Sequence, residues 1–254
     1  MIISKIQGGL GNQLFQWAIA KSYSIKHNCR CAFDTSFYPT QSFRKLQLDK
    51  FDIEFDIIQR VESPIIRIID DFNYREIPYD INFDIYLDGF WQSEKYFIEN
   101  EDIIRNELSP NEKILEKLRR TPFMDENCVS IHIRRTDYTT SQVYHPVQHI
   151  EYYESALNII GRYDYIFVFS DDIEWCRQNL TFRNMIFMTG LTDIEDMWVM
   201  SLCKNNIISN SSFSWWAAWL NKNVNKVVIA PMNWFGGHIN INSSDIVPKE
   251  WIKI

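Results

Sequence analysis

Short apolar runs alternate with helical patterns through the second half of the chain. The strands predicted from these runs span 129–133, 165–169, 185–188, 206–209 and 226–230, and the helices between them span 150–160, 173–179, 193–203 and 213–221. Repeated strand–helix units build a parallel sheet with helices on both faces. We therefore predict an α/β domain at 123–231, with a C-terminal tail at 232–254 packed on the surface.

The first half of the chain begins with the same kind of pattern and then loses it. A strand is predicted at 2–6, a helix at 14–26 and a strand at 29–33, with a glycine turn between the first two elements. No regular period is visible at 37–86, where we expect loops and short helices; a strand-like run at 86–91 and helical stretches at 93–108 and 112–120 follow. Thr121 and Pro122 mark the predicted end of an N-terminal domain, 1–122.

Composition excludes several functional classes for this chain. Of the 254 residues, 46% are apolar and 23% charged, and the net charge of −7 argues against general binding to nucleic acid or anionic membranes. The five cysteines form no C-x-x-C pair, so neither a disulfide framework nor a zinc site is supported. No apolar run approaches the roughly 18 residues that span a bilayer. We therefore expect a cytoplasmic protein with no transmembrane segment.

A cationic motif follows the first strand of the C-terminal half. The strand at 129–133 ends directly in Arg134 and Arg135, and Asp137 lies two residues further on. Arginine meets phosphate oxygens with a planar fork of donors, and ligands of open α/β sheets bind beyond the carboxyl ends of the strands. The motif therefore indicates an anion site. The alternative is an Arg–Asp ion pair on the surface.

A serine-rich loop precedes the last predicted helix. Ser209, Ser211, Ser212 and Ser214 bring hydroxyls and free N–H groups to the start of this helix, which suits a phosphate. The alternative is a serine cap on an aromatic core helix that contains Phe213. Capping needs only one serine, so four of them favour binding.

The N-terminal glycine turn has two interpretations. Glycines between a strand and a helix allow the backbone to approach a ligand closely. Gly9 and Gly11, with Asp34 at the end of the next strand, match part of a dinucleotide fingerprint, which makes an NAD-dependent oxidoreductase an alternative function. Leu14 occupies the third glycine position, so the fingerprint is incomplete.

Three segments taken together resemble glycosyltransferase family 11, the α-1,2-fucosyltransferases. They are GGLGNQLFQWA from Gly8, HIRRTDY from His132 and SNSSFSWWAAWL from Ser209. The resemblance implies a GT-B-like α/β architecture, with two Rossmann-type domains facing a cleft and GDP-fucose bound by the C-terminal one. It also implies inverting transfer of L-fucose from GDP-β-L-fucose to the 2-hydroxyl of a β-galactosyl glycan.

The resemblance further implies a bacterial enzyme that needs no metal or other cofactor. Its partners would be GDP-fucose and an oligosaccharide or lipid-linked glycan acceptor, with no nucleic acid, and it could associate peripherally with the inner membrane. The sequence contains no Asp-x-Asp, the pattern with which metal-dependent transferases commonly hold a nucleotide diphosphate. Arginine and helix N-termini would then neutralise the leaving diphosphate.

Site residues follow from the resemblance position by position. The catalytic candidates are Arg134, Asn12 and Asp137, and the donor-binding candidates are Gly9, Gly11, His132, Arg135, Asp196, Ser211, Ser212 and Phe213. Arg134 would grip the β-phosphate as the donor C–O bond breaks, and Ser211 and Ser212 would bind diphosphate oxygens. His132 would line the nucleoside side, and Gly11 and Asn12 would face the fucose. Arg135 and Asp137 would position the loop more than touch the donor.

Asp196 is placed where relatives use an acid to bind guanine N1–H and N2–H. The alternative for Asp196 is an exposed helix carboxylate. Asp171 and Asp172, which follow another predicted strand, are weaker candidates.

The acceptor's base is not assigned by the sequence. Related α-1,6 enzymes carry a glutamate shortly after the Arg-Arg motif, but here no carboxylate follows Asp137 in that loop. Asp137, His145 and a baseless, strongly dissociative route in which Asn12 orients the hydroxyl all stay open. A non-catalytic nucleotide-sugar-binding protein is a further alternative, and it predicts donor affinity without turnover.

Overall fold

The computed structural model describes residues 1–58, 64–121, 127–237 and 241–254. The chain divides into two compact units, one formed by Met1–Leu108 with Ile241–Pro248 and the other by Ser109–Asn240 with Lys249–Ile254. The predicted boundary at Thr121 and Pro122 lies in part outside the described residues, because Pro122 is among those not described.

The first unit contains a parallel sheet of four strands in the order β2-β1-β4-β3. Its strands are β1 (Ile2–Lys5), β2 (Cys31–Asp34), β3 (Ile65–Ile69) and β4 (Asp84–Asp88), and its α-helices are α1 (Leu10–Lys26) and α2 (Glu101–Leu108). Short 3-10 turns lie at Tyr38–Thr40, Leu48–Lys50, Glu94–Tyr96 and Ile98–Asn100.

Four elements of the first unit differ from the sequence predictions. Strand β4 spans Asp84–Asp88, whereas the strand-like run was predicted at 86–91. Helix α1 begins at Leu10 instead of 14, so the glycine turn is shorter and Gly11 lies inside the helix. Strand β3 was not predicted, because only Ile68 of its five residues is buried and no alternation is visible. The stretch predicted as a helix at 93–108 is α-helical only in its second half, after two 3-10 turns.

The second unit contains a parallel sheet of six strands in the order β10-β9-β8-β5-β6-β7. The strands are β5 (Cys128–Ile133), β6 (Tyr165–Ser170), β7 (Met185–Phe187), β8 (Asn205–Ile207), β9 (Val228–Ala230) and β10 (Ile252–Lys253). The helices are α3 (Glu112–Arg119), α4 (Thr136–Thr140), α5 (Ile150–Ile160), α6 (Ile173–Asn179), α7 (Asp193–Leu202) and α8 (Ser212–Leu220). The predicted parallel βα sheet is confirmed.

The strand order creates a switch point between β5 and β8. From β5 the chain winds outward through β6 and β7, and then returns to place β8, β9 and β10 on the other side of β5. In doubly wound sheets, ligands bind at the carboxyl ends of the strands where the winding direction reverses. The fold therefore marks the loops after β5 and β8 as the binding edge of this unit.

The core of the second unit is built from the apolar runs that predicted its strands. Val129, Ile131 and Ile133 of β5 pack with Tyr153 of α5 and Ile166 of β6 in one buried cluster. A parallel sheet covered on both faces requires such continuous apolar strands. Burial of this cluster fixes where β5 ends and hence where the arginines begin.

The aromatic stripe of α8 is also core. The indole rings of Trp215 and Trp219 stack with centroids 6.1 Å apart, and Trp251 lies 5.5 Å from Trp215. Trp251 precedes β10, whose Ile252 pairs with Ile229 of β9. The segment predicted as a surface tail at 232–254 thus adds a strand to the sheet, a difference that arises because two residues are too short to show a period. No helix in the described part of the chain is long and apolar enough to cross a bilayer.

Candidate functional site

The cationic motif lies at the switch point of the second unit. Strand β5 ends at Ile133, so Arg134 and Arg135 follow at its carboxyl end. Strand β6, the neighbour of β5, ends at Ser170, and Asp171 therefore follows at the same edge. The pairing of β5 with β6 thus places two arginines and a carboxylate next to each other. The sequence alone does not show this, because it does not show which strands are neighbours.

Arg134 is held by two carboxylates. Its Nη2 atom lies 2.7 Å from Oδ1 of Asp137, and its Nε lies 3.2 Å from Oδ2 of Asp171. The side chain is 23% exposed, and its guanidinium lies 5.6 Å from the ring centroid of Tyr138. These contacts use Nε and Nη2. The alternative interpretation was an Arg–Asp ion pair on the surface. The ion pair is present, but the Arg134 side chain that it orients is largely buried.

Asp171 connects the ends of β5 and β6. Its carboxylate accepts hydrogen bonds from the backbone N–H groups of Arg135 and Thr136, at 2.9 and 3.1 Å, and from the Thr136 hydroxyl. Together with the ion pair to Arg134, these contacts fix both the backbone and the side chain of the motif. The sequence analysis ranked Asp171 among the weaker candidates because nothing local signals this long-range contact.

Arg135 is directed away from Arg134. Its guanidinium carbon lies 3.6 Å from the ring centroid of Trp175 in α6, and its Nε lies 3.6 Å from a carboxylate oxygen of Asp172. A guanidinium stacked on an indole ring is a stable cation–π arrangement. These contacts suit a residue that positions the loop.

His132 and Ser209 join β5 to the loop after β8. The Nδ1 atom of His132 lies 2.9 Å from the Ser209 hydroxyl, and both residues are buried. Burial, reinforced by the positive charge of Arg134 and opposed by Asp171, lowers the pKa of His132 to about 3. His132 is therefore neutral and serves as a hydrogen-bonding group. The ring of Phe213 lies 5.4 Å away.

The serine-rich loop is shaped by Asn210, which the sequence analysis did not single out. The side-chain amide of Asn210 donates to the carbonyl of Trp234 at 3.0 Å, and the backbone carbonyl of Asn210 accepts from the Tyr138 hydroxyl at 3.0 Å. Ser211 is the N-cap residue of α8, yet its side chain makes no capping hydrogen bond. Ser211 therefore does not act as the capping serine of the alternative interpretation. Helix α8, nine residues long, begins at Ser212, and the N–H groups at its N-terminus suit an anion.

Asp196 is not an ordinary exposed helix carboxylate. It lies in the first turn of α7, behind a capping box formed by Thr192 and Glu195. Its Oδ1 atom is buried and has no hydrogen-bond partner in the described part of the chain. Burial, with the negative charges of Asp193 and Glu195, raises the pKa of Asp196 to about 7. A buried acceptor of this kind fits a ligand that offers N–H donors.

The two candidate base residues follow Arg135: Asp137 lies in helix α4 and His145 in the loop after it. Asp137 is 46% exposed and accepts from the Arg134 Nε–H at 2.9 Å. The His145 ring stacks on Tyr138 with centroids 4.7 Å apart. Burial lowers the pKa of His145, against the opposing charge of Asp137, so the imidazole is neutral at neutral pH and able to accept a proton.

The glycine turn of the first unit is held by two buried amides. Gln13 donates to the carbonyls of Gly8 and Lys45, at 3.2 and 2.9 Å, and accepts from the N–H of Gln47 at 2.9 Å. Gln16 accepts from the N–H of Gln7 at 2.9 Å. Both glutamines are fully buried beside Leu14, Phe15 and Trp17, and a polar residue on each side of the apolar pair Leu14 and Phe15 is the signal that could have identified them from the sequence.

The predicted residues of the turn occupy different positions. Gly8 has φ +81, in the left-handed region that favours glycine, and a Cβ there would lie 2.8 Å from Nδ2 of Asn12. Gly9 is the N-cap residue of α1, and Gly11 is buried within that helix. The Asn12 side-chain carbonyl accepts from the amide of Gln92 at 2.8 Å.

The dinucleotide alternative gains no support from this unit. Asp34 already accepts from the Tyr86 hydroxyl and from the N–H of Ser36. Burial would raise the pKa of Asp34, but these hydrogen bonds outweigh it and lower the pKa. Leu14, at the third glycine position, is fully buried in the core.

The second unit therefore brings together His132, Arg134, Arg135, Asp137 and Phe213, and it presents Ser211, Ser212 and Asp196 from α8 and α7. Gly9, Gly11 and Asn12 belong to the first unit. Within the described ranges, no three His, Cys, Asp or Glu side chains converge as metal ligands. Metal independence itself stays a prediction.

A comparison with known proteins gives one family and full-length relatives. The family model described as Glycosyl transferase family 11 matches residues 58–254. The chain is 31% identical to an alpha-1,2-colitosyltransferase of Escherichia coli, over 100% of this chain and 99% of that protein. It is 29% identical to the O-antigen biosynthesis glycosyltransferase WbnK of Escherichia coli, with 99% of each covered.

Solved structures share the fold at low sequence identity. Fucosyltransferase NodZ from Bradyrhizobium matches with a TM-score of 0.56 and 15% identity, over 85% of this chain and 91% of that one. NodZ alpha-1,6-fucosyltransferase soaked with GDP-fucose matches with a TM-score of 0.54, over 86% and 91%. The likeness, together with the two parallel sheets, confirms the predicted GT-B-like fold.

Proposed function

The chain belongs to glycosyltransferase family 11, and we propose that it transfers L-fucose from GDP-β-L-fucose to the 2-hydroxyl of a terminal β-galactoside. The reaction would invert the anomeric carbon, form an α-1,2-fucoside and require no metal. This family membership displaces the NAD-dependent oxidoreductase, whose fingerprint was incomplete.

The observation that carries the proposal is Arg134 at the switch point. As the C1–O bond of the donor lengthens, the sugar becomes oxocarbenium-like and negative charge grows on the β-phosphate. A guanidinium already oriented by Asp137 and Asp171 stabilises that charge without reorganising. The N–H groups at the start of α8 and the hydroxyls of Ser211 and Ser212 would bind the remaining diphosphate oxygens.

Asp196 supports a guanine nucleotide over other bases. Guanine offers two donors on one edge, N1–H and N2–H, and a carboxylate accepts both. The buried, unpartnered Oδ1 of Asp196 meets this requirement. Adenine presents an acceptor at N1, so the same carboxylate would reject it.

His145 is the better of the two base candidates. Its lowered pKa keeps the imidazole neutral, whereas Asp137 is engaged by Arg134. A neutral imidazole accepts the proton of the attacking hydroxyl as the bond to C1 forms. In the alternative route without a base, Asn12 orients the hydroxyl. Replacing His145 would then reduce kcat only slightly, which distinguishes the two routes.

A second donor is favoured by one of the relatives. The Escherichia coli protein that is 31% identical is named an alpha-1,2-colitosyltransferase. Colitose is L-fucose without its 3-hydroxyl, so both sugars share the 6-deoxy-L-galactose framework and the same charge at the leaving diphosphate. GDP-linked colitose is therefore the alternative donor.

A donor and acceptor screen tests the function. We expect turnover of GDP-fucose or GDP-colitose with a β-galactoside, and a product whose NMR spectrum shows an α-1,2 linkage. Binding of GDP without turnover of any sugar donor, across a panel of β-galactosides, would favour the non-catalytic alternative. Turnover giving a different linkage would contradict the assigned acceptor hydroxyl.

A further inference from the structure

The loop after β4 in the first unit is built to hold one side chain in place. Strands β1 and β4 are neighbours, with Ser4 paired to Leu87, so the loop lies beside the glycine turn. Gln16 spans the two loops: it accepts from the N–H of Gln7 and donates to the carbonyl of Gly89, both at 2.9 Å. The spacing between the loops is therefore set by a fully buried amide.

Asp70 fixes the backbone of this loop. One of its carboxylate oxygens accepts from the N–H groups of Phe90 and Trp91, at 3.1 and 2.9 Å. A Cβ on Gly89 would lie 2.0 Å from Cβ of Asp70, so no other residue fits at that position. Trp91, fully buried, adopts φ +54, a left-handed conformation that a bulky residue rarely holds without such support.

Gln92 is the residue that this loop presents. Its Nε2 donates to Oδ1 of Asn12 at 2.8 Å, so Oε1 is the end of the amide that does not contact Asn12. The other end of the amide, Oε1, is buried and has no hydrogen-bond partner in the described ranges of the chain. Buried acceptors in native proteins are normally satisfied, so the missing donor points to a ligand.

We propose that Oε1 of Gln92 accepts a hydrogen bond from a sugar hydroxyl and makes Gln92 a specificity-determining residue. This inference rests on the proposed function, which supplies two hydroxylated sugars: the 6-deoxyhexose of the donor and the acceptor galactoside. The group that lacks a partner is a neutral acceptor, and a hydroxyl is the donor that both sugars offer. Neither a phosphate nor a carboxylate can donate to it when ionised.

The test pairs one side-chain change with single-hydroxyl deletions in the substrates. Gln92→Met preserves the size of the side chain and removes the acceptor. Wild type and Gln92→Met would be assayed with GDP-fucose, its 3-deoxy form (GDP-colitose) and its 4-deoxy form, and with 3-, 4- and 6-deoxy-β-galactosides. Gln178→Met, on an exposed position of α6, is the matched control. The melting temperature of each protein shows whether it is folded.

We expect one deoxy substrate to lower kcat/KM of the wild type by about ten- to a hundredfold, because it leaves Oε1 unpaired. For Gln92→Met the same substrate should cause no further loss, while the penalties of the other deoxy substrates stay unchanged. A merely structural role would leave all penalties as in the wild type. Whether the selective substrate is a donor or an acceptor identifies which sugar Gln92 reads.

Three outcomes would overturn the inference. One is that every deletion penalty is the same in folded Gln92→Met as in the wild type, since Gln92 would then recognise no hydroxyl. Another, which does not depend on the variant, is that no single deletion costs the wild type as much as tenfold. If the wild type turns over neither GDP-fucose nor GDP-colitose, the proposed function itself fails and the inference falls with it.

Discussion

Two sheet edges, one in each unit, hold the candidate residues by different means. At the edge formed by β1 and β4, the neutral amides of Gln13, Gln16 and Gln92 bridge backbone groups and Asn12, beside one carboxylate, Asp70, that binds backbone N–H groups of the loop after β4. At the edge formed by β5 and β6, charged groups join the loops: Asp171 binds backbone N–H groups of the arginine loop and pairs with Arg134.

The difference matches the chemistry proposed for each edge. Charge-assisted hydrogen bonds orient a cation in advance, which suits an edge that must stabilise growing charge on a diphosphate. Neutral amides define the shape of a loop and leave single acceptors for uncharged hydroxyls. We therefore expect substitutions at the charged edge to reduce turnover most, and substitutions at the amide edge to reduce stability or sugar discrimination.

Arg134 should give the largest effect. If Arg134 contacts the β-phosphate as proposed, its guanidinium is worth more in the transition state than in the bound donor, and Arg134→Ala should lower kcat by at least roughly 10² to 10³. Arg134→Lys keeps the charge but loses the planar fork, and it should recover only a small part. GDP affinity should fall less than kcat.

The matched control is Arg177→Ala, because Arg177 is also ion-paired, to Glu174 at 3.5 Å, but is 44% exposed. A surface pair contributes about 1 kcal/mol or less, so this variant should keep normal turnover. Measurement of kcat, GDP affinity and melting temperature on all four proteins separates the roles. Near-normal kcat in folded Arg134→Ala would contradict the catalytic assignment.

Gln13 tests the amide edge. Gln13→Leu leaves the carbonyls of Gly8 and Lys45 and the N–H of Gln47 without the side chain that binds them. Lys45 is exposed and the Gly8 carbonyl keeps the Tyr38 hydroxyl as a donor, so the loss in unfolding free energy should be about 1 to 2 kcal/mol. For a chain of this size, that is a drop in melting temperature of roughly 2 to 8 °C. Thermal unfolding checks it, with Gln178→Leu as the exposed control. An unchanged melting temperature would mean that the amides do not hold the turn.

Asp196 should affect nucleotide discrimination. Asp196→Asn presents a donor toward guanine's own donors, so the preference for GDP over ADP should fall by about 1 to 3 kcal/mol. Calorimetric titration of both proteins with GDP and ADP measures this. Unchanged selectivity in a folded variant would make Asp196 a residue without a role in base recognition.

The raised pKa of Asp196 adds a pH dependence to the same comparison. If Asp196 binds guanine as proposed, the carboxylate is the form that does so, and burial raises its pKa to about 7. GDP affinity should therefore fall as the pH drops below 7, by up to about tenfold per pH unit. Because the folded pKa lies above the usual Asp value, ligand-free stability should fall as the pH rises from about 4 to 7. Asp196→Asn should lose both responses. If the variant and the wild type showed the same pH profiles, this assignment of the pH dependence to Asp196 would be contradicted.

The smallest expected effect is that of a chelator. If arginine and helix N-terminal N–H groups neutralise the diphosphate, excess EDTA should leave most of the activity in place. Activity measured with EDTA, and then after addition of Mn²⁺ or Mg²⁺, checks this. A loss that either ion restores would require a metal at the diphosphate.

The sequence by itself determined the regular half of the molecule. The strands from β5 to β9 and the helices α5 to α8 were predicted within about two residues at most ends, because continuous apolar strands and helical periods are local signals. The five-residue helix α4 was not predicted, since it is too short to show a helical period. The arginine motif was placed correctly at a strand's carboxyl end for the same reason. Strand β3, with one buried residue in five, and β10, with two residues, carry no such signal and emerged only from pairing with a neighbour.

The tertiary structure decided which partners hold those residues. Asp171 lies 37 residues from Arg134, and Gln92 lies 80 residues from Asn12, as counted along the chain. Contacts over such separations depend on which strands become neighbours and on how their carboxyl ends align, and no local period encodes either. The raised pKa of Asp196 and the lowered pKa of His132 likewise follow from burial, which exists only once the helices have packed on the sheet.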